Sequence, residues 1–297
     1  MARVHSTMAS AASGQAWVRA QSVRAVRPAD FAKATDDVVA VLQAAWSAIT
    51  TSPVPQQDPG AGVFTADHLR LALEAAVRGG GHTDTVAAVA GGLLGAAHGA
   101  SALPWQWRAI LRGWPGLRTH GLAGVADKIV NGGEPCRIGG IGWWRDEPDP
   151  RHHPYDDGVW IGVAARLEKL PEGVEAVVSL CPISDQNMPI GAIHLEVRLG
   201  DGAGDEAGAG PNLDFVLLDT VRAIEAMRAD GITVFLHGRA TRNRAPVVAA
   251  LYGARRAGID VDQVLADLCE VLPDASPTNE YLAALHRLSP STERSTR

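Results

Sequence analysis

The stretch of sequence best suited to chemistry lies between an apolar run and a helical run. Residues 234–252, VFLHGRATRNRAPVVAALY, pass from an apolar segment through His237 and Gly238 to Arg244. A strand that ends at His237 and a helix that begins near Ala245 would aim several backbone N–H groups at one point between them. Arg244 stands where its guanidinium can place two N–H bonds on phosphate oxygens. The pattern predicts a loop that holds a phosphate-sized anion.

The whole loop is predicted to contribute to anion binding. Its residues are Gly238, Arg239, Ala240, Thr241, Arg242, Asn243 and Arg244. Arg239 and Arg242 are expected to be surface charges that widen the positive mouth of the loop. His237 is expected to form hydrogen bonds beneath the loop rather than to act as a catalyst.

These residues resemble the signature of protein tyrosine and dual-specificity phosphatases, which reads His-Cys, five variable residues, Arg, then Ser or Thr. His237 and Arg244 match the His and the Arg at the right separation. Residues 157–162, DGVWIG, resemble the first strand of that family, and the helix from about Leu213 and the strand into His237 follow in its order. The resemblance covers about residues 155–290 and implies a phosphatase-like domain.

Two positions depart from the signature. Gly238 stands at the position of the nucleophilic cysteine, and Ala245 stands at the position of the hydroxyl. Without a thiolate the covalent route is closed, so the resemblance implies a catalytically impaired binder of phosphate ligands. It also places a general acid at Asp201 or Asp205, on a Gly-rich loop for which a solvated acidic turn is the alternative interpretation.

The elements around the loop alternate between strands and helices. Apolar β-type runs are followed by a long helix, a strand and three more helices; the runs are 159–163, 175–180, 194–199 and 232–237, and the helices are 213–229, 245–257, 261–271 and 278–288. This alternation predicts a largely parallel sheet covered by helices. The first half shows only helical signals, at about 36–49 with Thr35 and Asp36 as caps, and at 66–78, 83–97 and 104–111.

The helical half has a resemblance of its own. Residues 76–116, which include GGGHTDTVAAVAGGLLGAAHG, resemble the C-terminal part of the ADP-ribosylglycohydrolase family. There an Asp-x-Asp-Thr run binds magnesium, and here Asp84 and Thr85 match its second half while His82 replaces the first Asp. The resemblance, over about 33–130, implies a weak magnesium site at Asp84 and Thr85. An ordinary helix N-cap is the alternative.

The sequence thus predicts an α/β protein, with an all-helical N-terminal fragment followed by a phosphatase-like, largely parallel sheet flanked by helices. The predicted divisions are a disordered N-terminus (1–30), a helical ADP-ribosylglycohydrolase-like fragment (31–130), a linker rich in Gly, Pro, Trp and His (131–156) and the phosphatase-like domain (157–290). Because only part of the ADP-ribosylglycohydrolase fold is matched, the N-terminal helices are expected to expose Val86, Val89, Leu93 and Leu94 and to bind a second copy or a partner chain.

Composition narrows the class of protein. A net charge of −6 argues against a nucleic-acid binder. No apolar run approaches the ~18 residues that a membrane span needs, and no signal-peptide pattern is seen, so a cytoplasmic protein is expected. Cys136, Cys181 and Cys269 are far apart in the sequence and are interpreted as isolated thiols. Apart from the weak magnesium site, no cofactor is expected.

Three functions remain open at this point. The first is a binder of a phosphorylated protein, a nucleotide or ADP-ribose. The second is an active hydrolase, either a phosphatase or a magnesium-dependent ADP-ribosylglycohydrolase completed by a partner chain. The third is an evolutionary remnant without a selected activity. Gly238 and Ala245 argue against the second, and the intact spacing around Arg244 argues against the third.

Overall fold

The computed structural model describes residues 37–133, 148–183, 191–200, 209–210 and 212–289. These residues form two compact units. The described part of the first unit is residues 37–57 and 64–102, and the second unit contains residues 58–63 and the described residues from 103 onward. The N-terminus at 1–30 and linker residues 134–147, for which the sequence made predictions, lie outside the described residues.

The described residues of the first unit form three α-helices, α1 (Val38–Thr51), α2 (Asp67–Arg78) and α3 (Thr83–His98). α1 begins after Asp37, whose side chain accepts a hydrogen bond from the backbone N–H of Val39 at 2.9 Å. This bond satisfies one of the N–H groups that the first turn leaves unpaired. The cap is therefore Asp37; Thr35 and Asp36, the predicted caps, lie outside the described residues.

The core of the first unit is rich in alanine. Small buried side chains line the three facing helices: Ala44, Ala45 and Ala48 on α1, Ala72 and Ala76 on α2, and Ala90 on α3. Val86 and Leu94 flank Ala90 at helical spacing, so these two residues also face inward and are buried. The prediction that they belong to an exposed apolar face is therefore wrong, and of the four residues in that prediction Leu93, at 41%, is the exposed one.

The second unit begins with two helices and continues as alternating strands and helices. Its elements are α4 (Trp105–Ile110), α5 (Thr119–Val130), β1 (Arg151–His153), β2 (Asp156–Val163), β3 (Ala176–Ser179), β4 (Ile193–Glu196), α6 (Leu213–Ala229), β5 (Val234–Gly238), α7 (Arg244–Ala257), α8 (Val261–Val271) and α9 (Asn279–Leu288). α5 and β1 are two elements that the sequence pattern did not predict. None of the helices within the described ranges has the length and hydropathy needed to cross a bilayer.

The five strands form one sheet in the order β1-β2-β5-β3-β4. β1 pairs with β2 in antiparallel orientation, and the other pairs are parallel. β5 lies between β2 and β3 and is buried along its whole length, which explains why its sequence is a continuous apolar run rather than an alternating one. The prediction of a largely parallel sheet flanked by helices is confirmed.

The short helices α4 and α5 pack within the second unit. Arg108 on α4 and Asp219 on α6 form a buried ion pair at 2.8 Å. Asp127 on α5 accepts a hydrogen bond from Arg198, which follows β4, at 2.7 Å. These two charge pairs join α4 and α5 to the sheet and its helices.

Candidate functional site

The candidate loop, residues 239–243, joins the central strand β5 to the N-terminus of α7. Val163 of β2 is the partner of Gly238, and Ser179 of β3 is the partner of His237. The loop therefore lies at the carboxyl edge of three adjacent parallel strands, which is where open α/β sheets place their ligands. The sequence predicted this strand–loop–helix arrangement to within one residue at each end.

Gly238 is required by space rather than by backbone conformation. Its φ is not positive, so other residues could adopt the same backbone. A Cβ built on Gly238 would, however, lie 2.9 Å from the carbonyl oxygen of Ala240, closer than real Cβ contacts come. A carbonyl oxygen therefore faces the point at which the side chain of the signature cysteine would enter. Because an anion needs N–H donors there, binding requires the Ala240 peptide to turn away.

Some of the other loop residues are buried and held by hydrogen bonds, and others are exposed to solvent. The side chains of Thr241 and Asn243 are buried, whereas Arg239 and Arg242 are exposed to solvent. Asn243 Oδ1 accepts a hydrogen bond from the backbone N–H of Thr278 at 3.0 Å. The carbonyl oxygen of Arg242 accepts one from the N–H of Ser276 at 2.6 Å. The segment before α9 thus fixes the end of the loop and leaves the two arginine side chains at its mouth.

Arg244 is buried at the first position of α7. Its Nη1 donates hydrogen bonds to the carbonyl oxygens of Leu180, just after β3, and Leu199, beyond β4, at 3.1 Å each. The guanidinium therefore ties the ends of two strands to the start of the helix. In this conformation it has a structural role, and contact with a phosphate would add to that role or replace it.

Beneath the loop, His237 takes part in a buried chain of hydrogen bonds. Its Nε2 lies 2.7 Å from Ser179 Oγ, and its Nδ1 lies 3.2 Å from the carbonyl oxygen of Gly238. Ser179 Oγ also lies 2.8 Å from Nε2 of His194 on β4. His237 therefore occupies the structural position that the sequence predicted.

The imidazole rings of His237 and His194 are both neutral at ordinary pH. Burial lowers the pKa of His237 to about 4, opposed by its bond to the Gly238 carbonyl and assisted by the charge of Arg244. Burial lowers the pKa of His194 to about 3, and the neighbouring His120 and His237 lower it further. Sequence reasoning missed Ser179 and His194, because β3–β4 and β3–β5 pairing brings them to the loop and no motif marks them.

The predicted general acids Asp201 and Asp205 lie outside the described residues. The general-acid position stays a prediction.

Comparison with known proteins recovers both resemblances. Residues 2–137 match the ADP-ribosylglycohydrolase family. The match extends beyond the predicted 33–130 at both ends, and it includes α4 and α5 as well as the first unit. No curated protein matches the chain.

Among solved structures, the chain is similar to dual-specificity and tyrosine phosphatases. Human DUSP28 is 21% identical, with 48% of this chain and 94% of that chain covered and a TM-score of 0.40. Tk-PTP in the active form is 20% identical, with 48% and 98% covered and a TM-score of 0.40. A mouse putative dual specificity phosphatase complexed with zinc tungstate is 22% identical, with 50% and 92% covered and a TM-score of 0.38. At these identities and TM-scores the similarity does not bear on activity.

Within the part of the chain that matches the ADP-ribosylglycohydrolase family, Asp84 and Thr85 lie in the first turn of α3. Both are exposed, and Thr85 Oγ1 lies 3.4 Å from Asp84 Oδ1. The N-cap of α3 is His82, which makes no capping bond, so the alternative interpretation of Asp84 and Thr85 as the cap is wrong.

These two residues do not fit a two-magnesium site by themselves. One carboxylate and one hydroxyl supply few of the oxygen ligands that such a site needs. Across the described ranges, no group of three or more His, Cys, Asp or Glu side chains is arranged to hold a metal ion.

Proposed function

We propose that this chain binds a phosphoryl group at the loop between β5 and α7 and does not hydrolyse it through a phosphocysteine. The observation that carries the proposal is Gly238, which leaves the end of the central strand without a nucleophile. Ala245, buried at the second position of α7, also lacks the hydroxyl that would assist a leaving thiolate. Once the Ala240 peptide turns its carbonyl away from Gly238, the loop can bind an anion although the covalent reaction is closed.

The electrostatics of the loop support binding of an anion. α7 is 14 residues long, and its N-terminus directs partial positive charge at the loop. Arg239 and Arg242 stand exposed at the mouth, and Arg244 lies behind them. Three arginines and a helix N-terminus around one short loop favour a phosphate, with its several acceptor oxygens, over a carboxylate.

The ligand classes that we propose are a phosphorylated protein, a nucleotide or ADP-ribose, all of which present a phosphate to the loop. The match of residues 2–137 to the ADP-ribosylglycohydrolase family favours ADP-ribose among them. These ligands are found in the cytoplasm, and we therefore propose that the protein is cytoplasmic.

Ligand binding is tested by thermal and urea unfolding with inorganic phosphate, a nucleoside monophosphate and ADP-ribose. A ligand at about 100 times its dissociation constant should stabilise the protein by ~2.7 kcal/mol. Replacement of Arg242 by Ser should weaken the effect, whereas replacement of Arg255, exposed at the other end of α7 and paired with Glu225, should not. Absence of stabilisation by all three ligands would overturn the proposal, and so would turnover of an aryl phosphate by the unchanged protein.

A second candidate function is magnesium-dependent hydrolysis of ADP-ribosyl bonds, with a partner chain completing the site. The match of residues 2–137 favours it. If Asp84 binds the metal, magnesium should raise the melting temperature of the unchanged protein, and Asp84→Asn should abolish the rise. Asp262→Asn is the matched control, since Asp262 also lies exposed in the first turn of a helix. A melting temperature that does not respond to magnesium would contradict metal binding by this chain.

The partner that this second candidate requires would bind an apolar surface. In the first unit Val38, Val54, Val77 and Leu93 are exposed, and in the second unit Ile110, Trp114, Ile129 and Val130 are exposed, with Trp114 at 91%. Exposed apolar side chains of this kind are found at interfaces. We propose self-association or binding of a partner chain through such side chains. Light scattering that shows a monomer, together with no binding of a hydrophobic dye, would overturn this proposal.

A further inference from the structure

Ser179 lies at the end of β3 between two imidazoles. The residue is fully buried, and its Oγ is 2.7 Å from Nε2 of His237 and 2.8 Å from Nε2 of His194. At the far side of His237, Nδ1 is 3.2 Å from the carbonyl oxygen of Gly238. One hydroxyl therefore links the edge strand β4 to the last residue of the central strand.

The donor and acceptor atoms of these groups fix the direction of each hydrogen bond between them. A carbonyl oxygen only accepts, so His237 Nδ1 must carry the proton. Because the imidazole is neutral, its Nε2 is then an acceptor, and the Ser179 hydroxyl must donate to it. The hydroxyl has a single proton, so its oxygen accepts from His194 Nε2–H. Nδ1 of His194 is left as a buried acceptor with no hydrogen-bond partner within the described residues.

The hydrogen bond from His237 to the carbonyl oxygen of Gly238 affects the orientation of the loop. A trans peptide is planar, and its C=O and N–H point in opposite directions. When His237 Nδ1–H holds the carbonyl oxygen of Gly238, the N–H of Arg239 points away from His237. That N–H belongs to the first residue of the loop, at the place where the proposed anion would be bound. The tautomer of His237 thus sets the direction of one anion-binding donor.

From this geometry we infer that Ser179 is a positioning residue of the loop, which through His237 orients the peptide between Gly238 and Arg239 toward a bound phosphate. His194 supports this role because its Nε2–H donates to the oxygen of the Ser179 hydroxyl. The hydroxyl proton is therefore directed at His237. This inference rests on the proposed function, since it assigns the loop a phosphoryl ligand.

The other groups around the chain do not replace this hydroxyl. The ring centroid of His120 on α5 lies 5.5 Å from that of His194. The charge of Arg244 acts on His237 from α7 and disfavours a second proton on that ring. The hydroxyl of Ser179 is the group that the structure places at hydrogen-bond distance, 2.7 Å, from His237 Nε2. Removal of the hydroxyl should therefore release His237 to exchange tautomers.

The test compares the unchanged protein with Ser179→Ala. Nitrogen NMR of the imidazoles reports the tautomer of His237, and titration with inorganic phosphate reports binding at the loop. We expect the unchanged protein to hold the proton on Nδ1, and Ser179→Ala to show a mixture of tautomers and phosphate binding weaker by about tenfold, the effect of one hydrogen bond. The control is Ser47→Ala, an equally buried serine of the first unit whose hydroxyl makes no hydrogen bond within the described residues. It should change neither readout.

The outcomes are distinct. An unaltered His237 tautomer in Ser179→Ala overturns the inference, and so does a changed tautomer with unchanged phosphate affinity. If the unchanged protein binds no phosphate, the proposed function and the role of Ser179 toward an anion are overturned together, while the tautomer result still decides whether Ser179 sets the state of His237. Should Ser179→Ala fail to fold, Ser179→Cys retains nearly the same shape with a weak donor and carries the same expectation.

Discussion

A Cβ on Gly238 would lie 2.9 Å from the carbonyl oxygen of Ala240. That distance relates the absence of a side chain at Gly238 to the shape of the loop. With glycine at the end of β5, the Ala240 carbonyl can occupy space that a cysteine would take. The loop therefore fits a glycine at residue 238. Binding of an anion and addition of a side chain at residue 238 both require the Ala240 peptide to move.

Gly238→Ala should destabilise the protein in the absence of anions. The added methyl group forces the Ala240 peptide to shift, and overpacking of this kind costs about 1–3 kcal/mol. Inorganic phosphate should recover part of the loss, because the shifted peptide no longer opposes the anion. Urea unfolding with and without phosphate measures both effects. Gly92→Ala is the control, since a Cβ there meets nothing within 4 Å. A Gly238→Ala protein as stable as its parent would contradict the tight contact.

Gly238→Cys should gain activity that the unchanged protein lacks. The new thiolate would attack the phosphorus of an aryl phosphate and release the aryl alcohol, with the α7 N-terminus beside it to lower the thiol pKa. Aryl alcohol release, and the added mass of a phosphocysteine, are the measurements. Gly238→Ala separates the effect of the sulfur from that of the Cβ. If neither the unchanged protein nor Gly238→Cys releases the aryl alcohol, the loop cannot arrange its donors around a phosphate. That result would weaken the proposal that the loop binds a phosphoryl group.

The ion pair between Arg108 and Asp219 should be the most sensitive contact of α4. Burial raises the pKa of Asp219, although the Arg108 charge and the N–H of Trp105 oppose the rise. Asp219→Asn leaves the guanidinium buried without its countercharge and should lower the free energy of unfolding by about 3–5 kcal/mol. Replacing both residues, as Arg108→Met with Asp219→Leu, should restore most of the loss. Urea unfolding measures each variant.

The exposed pair of Arg255 and Glu225 is the control for the buried one. Its atoms are also 2.8 Å apart, but both side chains are about one-third exposed. Glu225→Gln should therefore cost no more than about 1 kcal/mol. An equal cost for Asp219→Asn and Glu225→Gln would mean that α4 is not held in the second unit by its ion pair.

Acid should destabilise the protein through His194 and His237. Their folded pKa values, about 3 and about 4, lie below the usual 6.5, so the unfolded chain takes up protons first. Stability is thus fully present above pH 6.5 and falls as the pH drops toward 4. Each histidine contributes about 1.4 kcal/mol per pH unit in that window. His194→Asn should reduce the slope of unfolding free energy against pH by that amount. A slope that is the same in His194→Asn as in the unchanged protein would contradict the buried neutral state.

Local patterns in the sequence predicted much of the fold. The helix over 261–271 and the long helix over 213–229 have the bounds expected from their periodicity. The apolar run into His237 and the helix after it fixed the place of the loop. Two elements escaped prediction, because α5 buries none of its residues and β1 is three residues long.

The candidate site was predictable only where one segment supplies it. Residues 238–244 are consecutive, so their loop could be recognised, and the absence of a nucleophile at Gly238 could be read directly. The carbonyl of Ala240 beside Gly238 and the bonds of Arg244 to Leu180 and Leu199 depend on how the chain turns and on which strands are neighbours. No spacing in the sequence encodes these contacts.

The sequence by itself determined that a strand, a short arginine-bearing loop and a helix follow one another, and that no thiol stands at their junction. These are properties of adjacent residues, set by local propensity and by covalent order. Only the tertiary structure decided that Ser179 and His194 lie beneath the loop, that Arg244 is buried, and that Val86 and Leu94 face inward. Those outcomes depend on strand order and helix packing, in which residues far apart in the chain are brought together by the burial of apolar surface.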